Sequence, residues 1–128
     1  MALRGGREWR CGAVVSGARQ RLGARGELLA AAWYTARGYE VLDRNWRCSG
    51  GEIDLVLRNG QTLVVCEVKT RSSLLYGSPA EAVTGAKRVR LRRLAARWIM
   101  DHDVHAPTVR FDVAAVLDEH VEVIPGAW

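Results

Sequence analysis

The dipeptide Asn59-Gly60 stands between two apolar runs, Ile53-Asp54-Leu55-Val56-Leu57 and Leu63-Val64-Val65-Cys66. Both turn residues tolerate positive φ, so the arrangement predicts a β-hairpin with a two-residue turn. With Asn59 and Gly60 as the central pair, position 58 faces 61, 56 faces 63, 54 faces 65 and 52 faces 67. Facing residues share a side of the sheet. One side then carries Ile53, Leu55, Leu57, Val64, Cys66 and Val68, all apolar. The other carries Val56, Leu63 and Val65 near the turn but Glu52, Asp54, Glu67 and Lys69 away from it. A solvated hairpin face would be polar along its whole length, so a face that is apolar at one end predicts a sheet covered on both sides.

The flanking sequence supplies the covers. Leu28, Ala31, Ala32 and Thr35 fall on one helical face and Gly38 follows as a C-terminal stop, which predicts a first helix over 24–37. Residues 39–47 read as a strand and 48–51 as a turn. Ser78-Pro79-Ala80-Glu81 combines an N-cap serine, a proline at the first helical position and a glutamate that completes a capping box. The helix it starts is expected to run to about Met100, with Val83, Lys87, Leu91, Leu94 and Trp98 on its inward stripe and Arg88, Arg92 and Arg93 outside it. After a loop over 101–107, residues 108–117 and 120–124 read as a closing hairpin. Trp33, Trp46 and Trp98 are expected to be core or sheet cover, and His102 and His105 to be exposed rather than metal-binding.

The 128 residues fit one domain, expected over 21–128, preceded by a basic, mobile arm over 1–20. No apolar run approaches the roughly 20 residues that span a bilayer, and the Arg-studded start lacks a signal-peptide core. A cytoplasmic protein without a membrane partner is expected, and its three cysteines should be reduced. Of the 19 basic residues only Lys69 and Lys87 are lysines. Both fall at inward positions, where compact ammonium chemistry differs from that of an always-charged guanidinium.

In this register Asp54 opposes Val65, which makes Glu67 its diagonal neighbour on the same face. Carboxylates converging beside a third, Glu52, need a cation between them. Mg²⁺ or Mn²⁺ fits, because such ions take oxygen ligands and are held by one or two carboxylates plus substrate phosphate. Lys69 projects to the same side, where it could orient or deprotonate a water or stabilise charge on a phosphate in transit. Lys87, on an otherwise apolar stripe, needs a phosphate or carboxylate partner unless it reaches the rim.

The order Asp54, then Glu67-Val68-Lys69, matches the Asp…(Asp/Glu)-x-Lys signature of restriction-endonuclease-like nucleases. The stretch from Gly23 to Trp128 also resembles the bacterial YraN family, a member of that superfamily. The shared strings are Gly26-Glu27, Gly38-Tyr39, Arg44-Asn45, Gly51-Glu52-Ile53-Asp54-Leu55, Glu67-Val68-Lys69-Thr70-Arg71, Tyr76-Gly77 with Pro79, Lys87, Arg110-Phe111-Asp112 and Ile124-Pro125. The resemblance implies an α/β, restriction-endonuclease-like fold, a mixed central sheet flanked by helices. The superfamily's proline before the first aspartate is absent here, with Ile53 in its place. Similarity to archaeal Holliday-junction resolvases gives Glu27 a role, approaching the metal from helix one. Implied catalytic residues are therefore Asp54, Glu67, Lys69 and Glu27, with Asp54, Glu67 and Glu27 on the metal.

The second helix carries Lys87, Arg88, Arg90, Arg92, Arg93 and Arg97 and no acid between them, a candidate phosphate track that Arg71 could extend. The last 28 residues are acidic, with Asp101, Asp103, Asp112, Asp118, Glu119 and Glu122 against Arg110, and are expected to face away from nucleic acid or toward a partner. The expected function is metal-dependent hydrolysis of nucleic-acid phosphodiesters, on branched or single-stranded DNA. A homodimer would suit two-fold substrates. The alternative is a non-catalytic adaptor on the same scaffold that grips nucleic acid or a DNA-processing protein.

Overall fold

The Asn-Gly hairpin lies in the middle of a five-stranded sheet. The computed structural model describes residues 17–71 and 85–127. Their order is α1 (Gly17–Thr35), β1 (Glu40–Cys48), β2 (Gly51–Asn59), β3 (Thr62–Arg71), α2 (Gly85–His102), β4 (Thr108–Leu117) and β5 (His120–Ile124). The strands lie side by side in sequence order, antiparallel except for the parallel pair β3 and β4. A parallel neighbour needs a crossover, and α2 lies within it. The fold is thus α/β with a mixed sheet, compatible with a restriction-endonuclease-like architecture. No helix among the described residues is long and apolar enough to cross a membrane.

Each face of the sheet is covered, as the hairpin pattern requires. Leu91, Leu94, Ala95 and Trp98 of α2 pack on Trp46, Ile53, Val56, Leu63, Val65 and Phe111. On the other face Ala30, Ala31 and Tyr34 of α1 pack on Leu55, Leu57, Val64, Cys66 and Ala114.

The register departs from expectation by two residues. Asn59 pairs with Thr62, and the central turn residues are Gly60, at φ +59°, and Gln61. This puts the glycine at the first central position, where a type II′ turn requires it. An even shift leaves every side chain on its expected face, with one exception: Ile53 joins the α2 side although Leu55 lies on the α1 side. The alternation breaks at Asp54, where β1 also carries Asn45 at φ +54°.

The inward face of α1 differs as well. Gly26, Ala30, Ala31 and Tyr34 are buried, whereas Leu28 is 57% exposed and Ala32 and Thr35 face solvent. Apart from Tyr34 the inner stripe consists of small residues, and α1 passes close to β3: a Cβ at Gly26 would overlap the Thr70 hydroxyl. The helix starts at Gly17, so residues 17–20 of the expected arm are helical. Positions 17–23 hold a single large apolar residue, Leu22, too little for a helical period to register. Residues 1–16, the Ser78-Pro79-Ala80-Glu81 cap, Tyr76-Gly77 and Val83 lie outside the described residues. At its far end α2 continues to His102. That ring is not exposed as expected but stacks on Trp98 at 4.2 Å, with Nε2 3.6 Å from Asp43. His105 is exposed.

Candidate functional site

Strand β2 pairs with β3 only as far as Leu55 and Cys66. One step further along this register places Asp54 directly across from Glu67, correcting the diagonal relation expected from the sequence. There the ladder is replaced by a side chain, since the Val68 N–H donates to Asp54 Oδ2 at 2.8 Å. A cavity of about 720 Å³ opens at this point, lined by Asp54, Glu67, Lys69 and Thr70 from the hairpin, Glu27 from α1, and Lys87 and Arg90 from α2.

Each helix delivers its residue for a local reason. The close approach at Gly26 carries the next residue, Glu27, into the cavity. The Asn45 side chain hydrogen-bonds Glu27, so the left-handed residue in β1 braces the glutamate. On α2, Lys87 lies one turn before Leu91 and shares its inward stripe. Its partner is a carboxylate: Lys87 Nζ contacts Glu67 Oε2, which also lies 3.2 Å from Lys69 Nζ. Glu52 lines the cavity and is held by Arg47 at 2.7 Å.

Burial pushes the Asp54 carboxyl up to about 7; the Val68 N–H opposes this, and the charges of Glu67, Glu27 and Glu52 add to it. Glu27 is also raised, by burial first and by Glu52, against the hydrogen bond from Asn45. The two lysines diverge. Burial lowers Lys87, and the adjoining Lys69 ammonium lowers it further. At Lys69 burial also disfavours the charge, but its hydrogen bonds and the Glu67 and Asp54 carboxylates outweigh it, so its ammonium is strengthened.

The donor set is all oxygen, which suits a hard, hydrated divalent cation held by one or two carboxylates. Asp54 has one oxygen on Val68, and its Oδ1 has no hydrogen-bond partner among the described residues. Asp54 and Glu67 therefore fit such an ion. Glu27 lines the same cavity from α1, beside these two carboxylates.

Of the expected phosphate contacts, Lys87 lines the cavity, while Arg88, Arg92 and Arg93 do not. The Arg92 guanidinium lies 5.7 Å from the Phe111 ring centroid, toward β4. Arg71 closes β3, and its side chain is outside the described set. Arg90, expected as one arginine of the phosphate track, lines the cavity one helical turn after Lys87. Sequence reasoning missed Asn45 as a member of this site, although its tolerance of the left-handed region marks it. Asp112 had been counted with the acidic end, but it is fully buried and adds nothing to a charged surface.

A profile of the uncharacterised protein family UPF0102 matches residues 26–116. A UPF0102 protein of Beutenbergia cavernae is 61% identical over 100 residues, 78% of this chain and 85% of its own length. UPF0102 proteins of Nocardioides sp. and Arthrobacter sp. are 58% and 55% identical, over 77% and 80% of this chain and 80% and 86% of theirs.

Proposed function

The chain belongs to the uncharacterised protein family UPF0102, the YraN family, and from its cavity we propose that it is a Mg²⁺- or Mn²⁺-dependent nuclease hydrolysing nucleic-acid phosphodiesters, with DNA as the expected substrate. The observation that carries this reading is the placement of Asp54 across from Glu67, with Lys69 and Lys87 in the same cavity. Asp54 and Glu67 would hold the ion, and Glu27 would act from α1 through water. When bound, the ion lowers the pKa of a coordinated water and neutralises charge on the phosphate. Lys69, kept protonated by its carboxylate neighbours, stabilises charge growing on the phosphate oxygens. Lys87 and Arg90 bind flanking phosphates. An intracellular substrate would place the protein in the cytoplasm, and a homodimer would suit two-fold junctions.

Purified protein with Mn²⁺ is expected to nick single-stranded or branched DNA. Asp54→Ala should reduce cutting at least 100-fold while binding survives; equal residual cutting in the variant would identify a contaminant.

A second reading is favoured by one observation, the closure of Glu67 by two ammonium groups. In that case the scaffold serves a non-catalytic adaptor that grips nucleic acid or a DNA-processing partner. Calorimetric titration of Mn²⁺ into the wild type and Glu67→Gln separates them, because heat that is lost in the variant supports the nuclease.

A further inference from the structure

The arginines of α2 are not equivalent. Arg90, Arg93 and Arg97 follow an i, i+3, i+7 pattern, which sets three guanidinium stems on one stripe over roughly 10 Å of helix axis. Together with Ala86 and Val89 they form one wall of a second cavity of about 350 Å³, whose other wall is the β1–β2 turn at Cys48, Ser49 and Gly50. Arg92 lies on the opposite flank, toward Phe111, and Arg88, one helical turn before it, falls on the same stripe of α2. This groove is continuous with the carboxylate cavity, because Gly50 and Arg90 line both.

From this continuity we infer that the groove between α2 and the β1–β2 turn is the path of a single nucleic-acid strand leaving the carboxylate cavity, with Arg90, Arg93 and Arg97 on successive phosphates. The inference rests on the proposed nuclease reading and adds the strand's direction across the fold. Three features favour a polynucleotide strand over a free phosphate. The guanidiniums form a ladder rather than a cluster. Val89, 52% exposed, gives the same wall an apolar surface for a sugar or base. Glu52, at the cavity end, is already paired with Arg47, and Arg97 lines the groove while only its Nε donates to Asp101. Just beyond the opposite wall the β1–β2 turn runs close against α2: a Cβ on Gly51, at φ +137°, would come 3.3 Å from Leu94 Cδ1.

Anisotropy of a labelled single-stranded oligonucleotide, measured with EDTA so that no cutting intervenes, tests the path. The pair Arg93→Gln/Arg97→Gln is expected to weaken binding at least tenfold and to reduce the salt slope by about 1.4, at roughly 0.7 per phosphate contact. Arg88→Gln/Arg92→Gln removes the same charge and should weaken binding less than threefold. Ser49→Glu, which places a carboxylate on the other wall, should match the first pair, with thermal unfolding used to show that each variant is folded. Equal losses in the two arginine pairs would overturn the groove, since only net charge would then matter. Failure of the wild type to bind single strands at low salt would overturn it too. Binding that follows the groove while Mn²⁺-dependent cutting is absent would retain the path and remove the hydrolytic reading. Cutting that persists while both pairs bind alike would do the reverse.

Discussion

Asp112 on β4 is fully buried and Asp54 on β2 partly so, and the two acids are partnered in opposite ways. Asp112 Oδ1 accepts from Arg110 Nε at 2.8 Å and from the Gly126 N–H at 3.0 Å. Its Oδ2 accepts from Arg110 Nη2 at 2.8 Å and from the Tyr34 hydroxyl at 2.6 Å. Arg110 in turn donates to Tyr39 at 3.1 Å. Four donated hydrogen bonds leave this carboxylate satisfied, and the carboxylate in turn holds Arg110 more firmly protonated than usual. Asp54 receives one described hydrogen bond, from Val68, and faces the charges of Glu67, Glu27 and Glu52, with the Lys69 ammonium in the same cavity. A charge that the fold satisfies completely ties α1, β4 and the C-terminal turn together. A charge left half-satisfied costs stability in the free protein and remains open to a ligand.

The largest effect that would break this contrast is on stability at Asp112. Asp112→Ala leaves Arg110, the Tyr34 hydroxyl and the Gly126 N–H without their shared acceptor, and removal of one partner from a buried pair costs about 4 kcal/mol. Urea unfolding should show this loss, with Asp112→Asn losing about half as much and remaining foldable if the alanine variant does not. Asp54→Ala should cost far less. Equal losses at the two positions would mean that both acids are scaffold.

The hairpin was legible because Asn59-Gly60 and the alternation around it report turn and burial together. Its register was not, because either dipeptide, Asn59-Gly60 or Gly60-Gln61, can supply the turn; the shift is even, so the faces survived. Thus Asp54, Glu67 and Lys69 could be grouped from sequence even though the opposing pair was misplaced. The face of α1 was illegible for a different reason. Apart from Tyr34, its inward residues are Gly26, Ala30 and Ala31, which carry little hydrophobic signal, while the exposed Leu28 carries a strong one. Glu27 therefore entered the site through a resemblance rather than a pattern. Asp112 had a readable mark that was passed over: it interrupts the apolar run of β4, Phe111 to Val116, where a lone acid must be paired.

Asp54 supplies the next effect, and its sign is opposite. Its folded-state carboxyl titrates near 7, above the ordinary carboxylate range. A raised folded value means that the folded state binds the proton more tightly than the unfolded chain. The ionised group therefore penalises folding fully above pH 7, less as pH falls through 7, and not at all below about 4. Asp54→Asn keeps an acceptor for Val68 and should be more stable than the wild type by about 2 kcal/mol at pH 8, in EDTA, with the gain vanishing toward pH 4. Metal affinity of the wild type should fall over the same descent through pH 7, as proton and cation compete for one carboxylate. A gain independent of pH would assign the effect to packing instead of charge.

Tyr34→Phe is the smallest and most selective test, because it removes one of four donors to Asp112 and little volume. The hydroxyl donates to a charged acceptor at 2.6 Å and lies 3.5 Å from the Cys66 sulfur, which is too weak an acceptor to compete. Loss of one such bond costs about 1.5 kcal/mol, and Asp112 Oδ2 keeps its bond from Arg110. If the cluster acts as a unit, the same substitution in an Asp112→Asn background should cost less than half as much, since the charged acceptor is already gone. Additive losses in that double-mutant cycle would show that Tyr34 contributes through packing against Leu55 and Ala114 alone. The satisfied acid would then owe its stability to Arg110 and Gly126, and the contrast with Asp54 would rest on three donors rather than four.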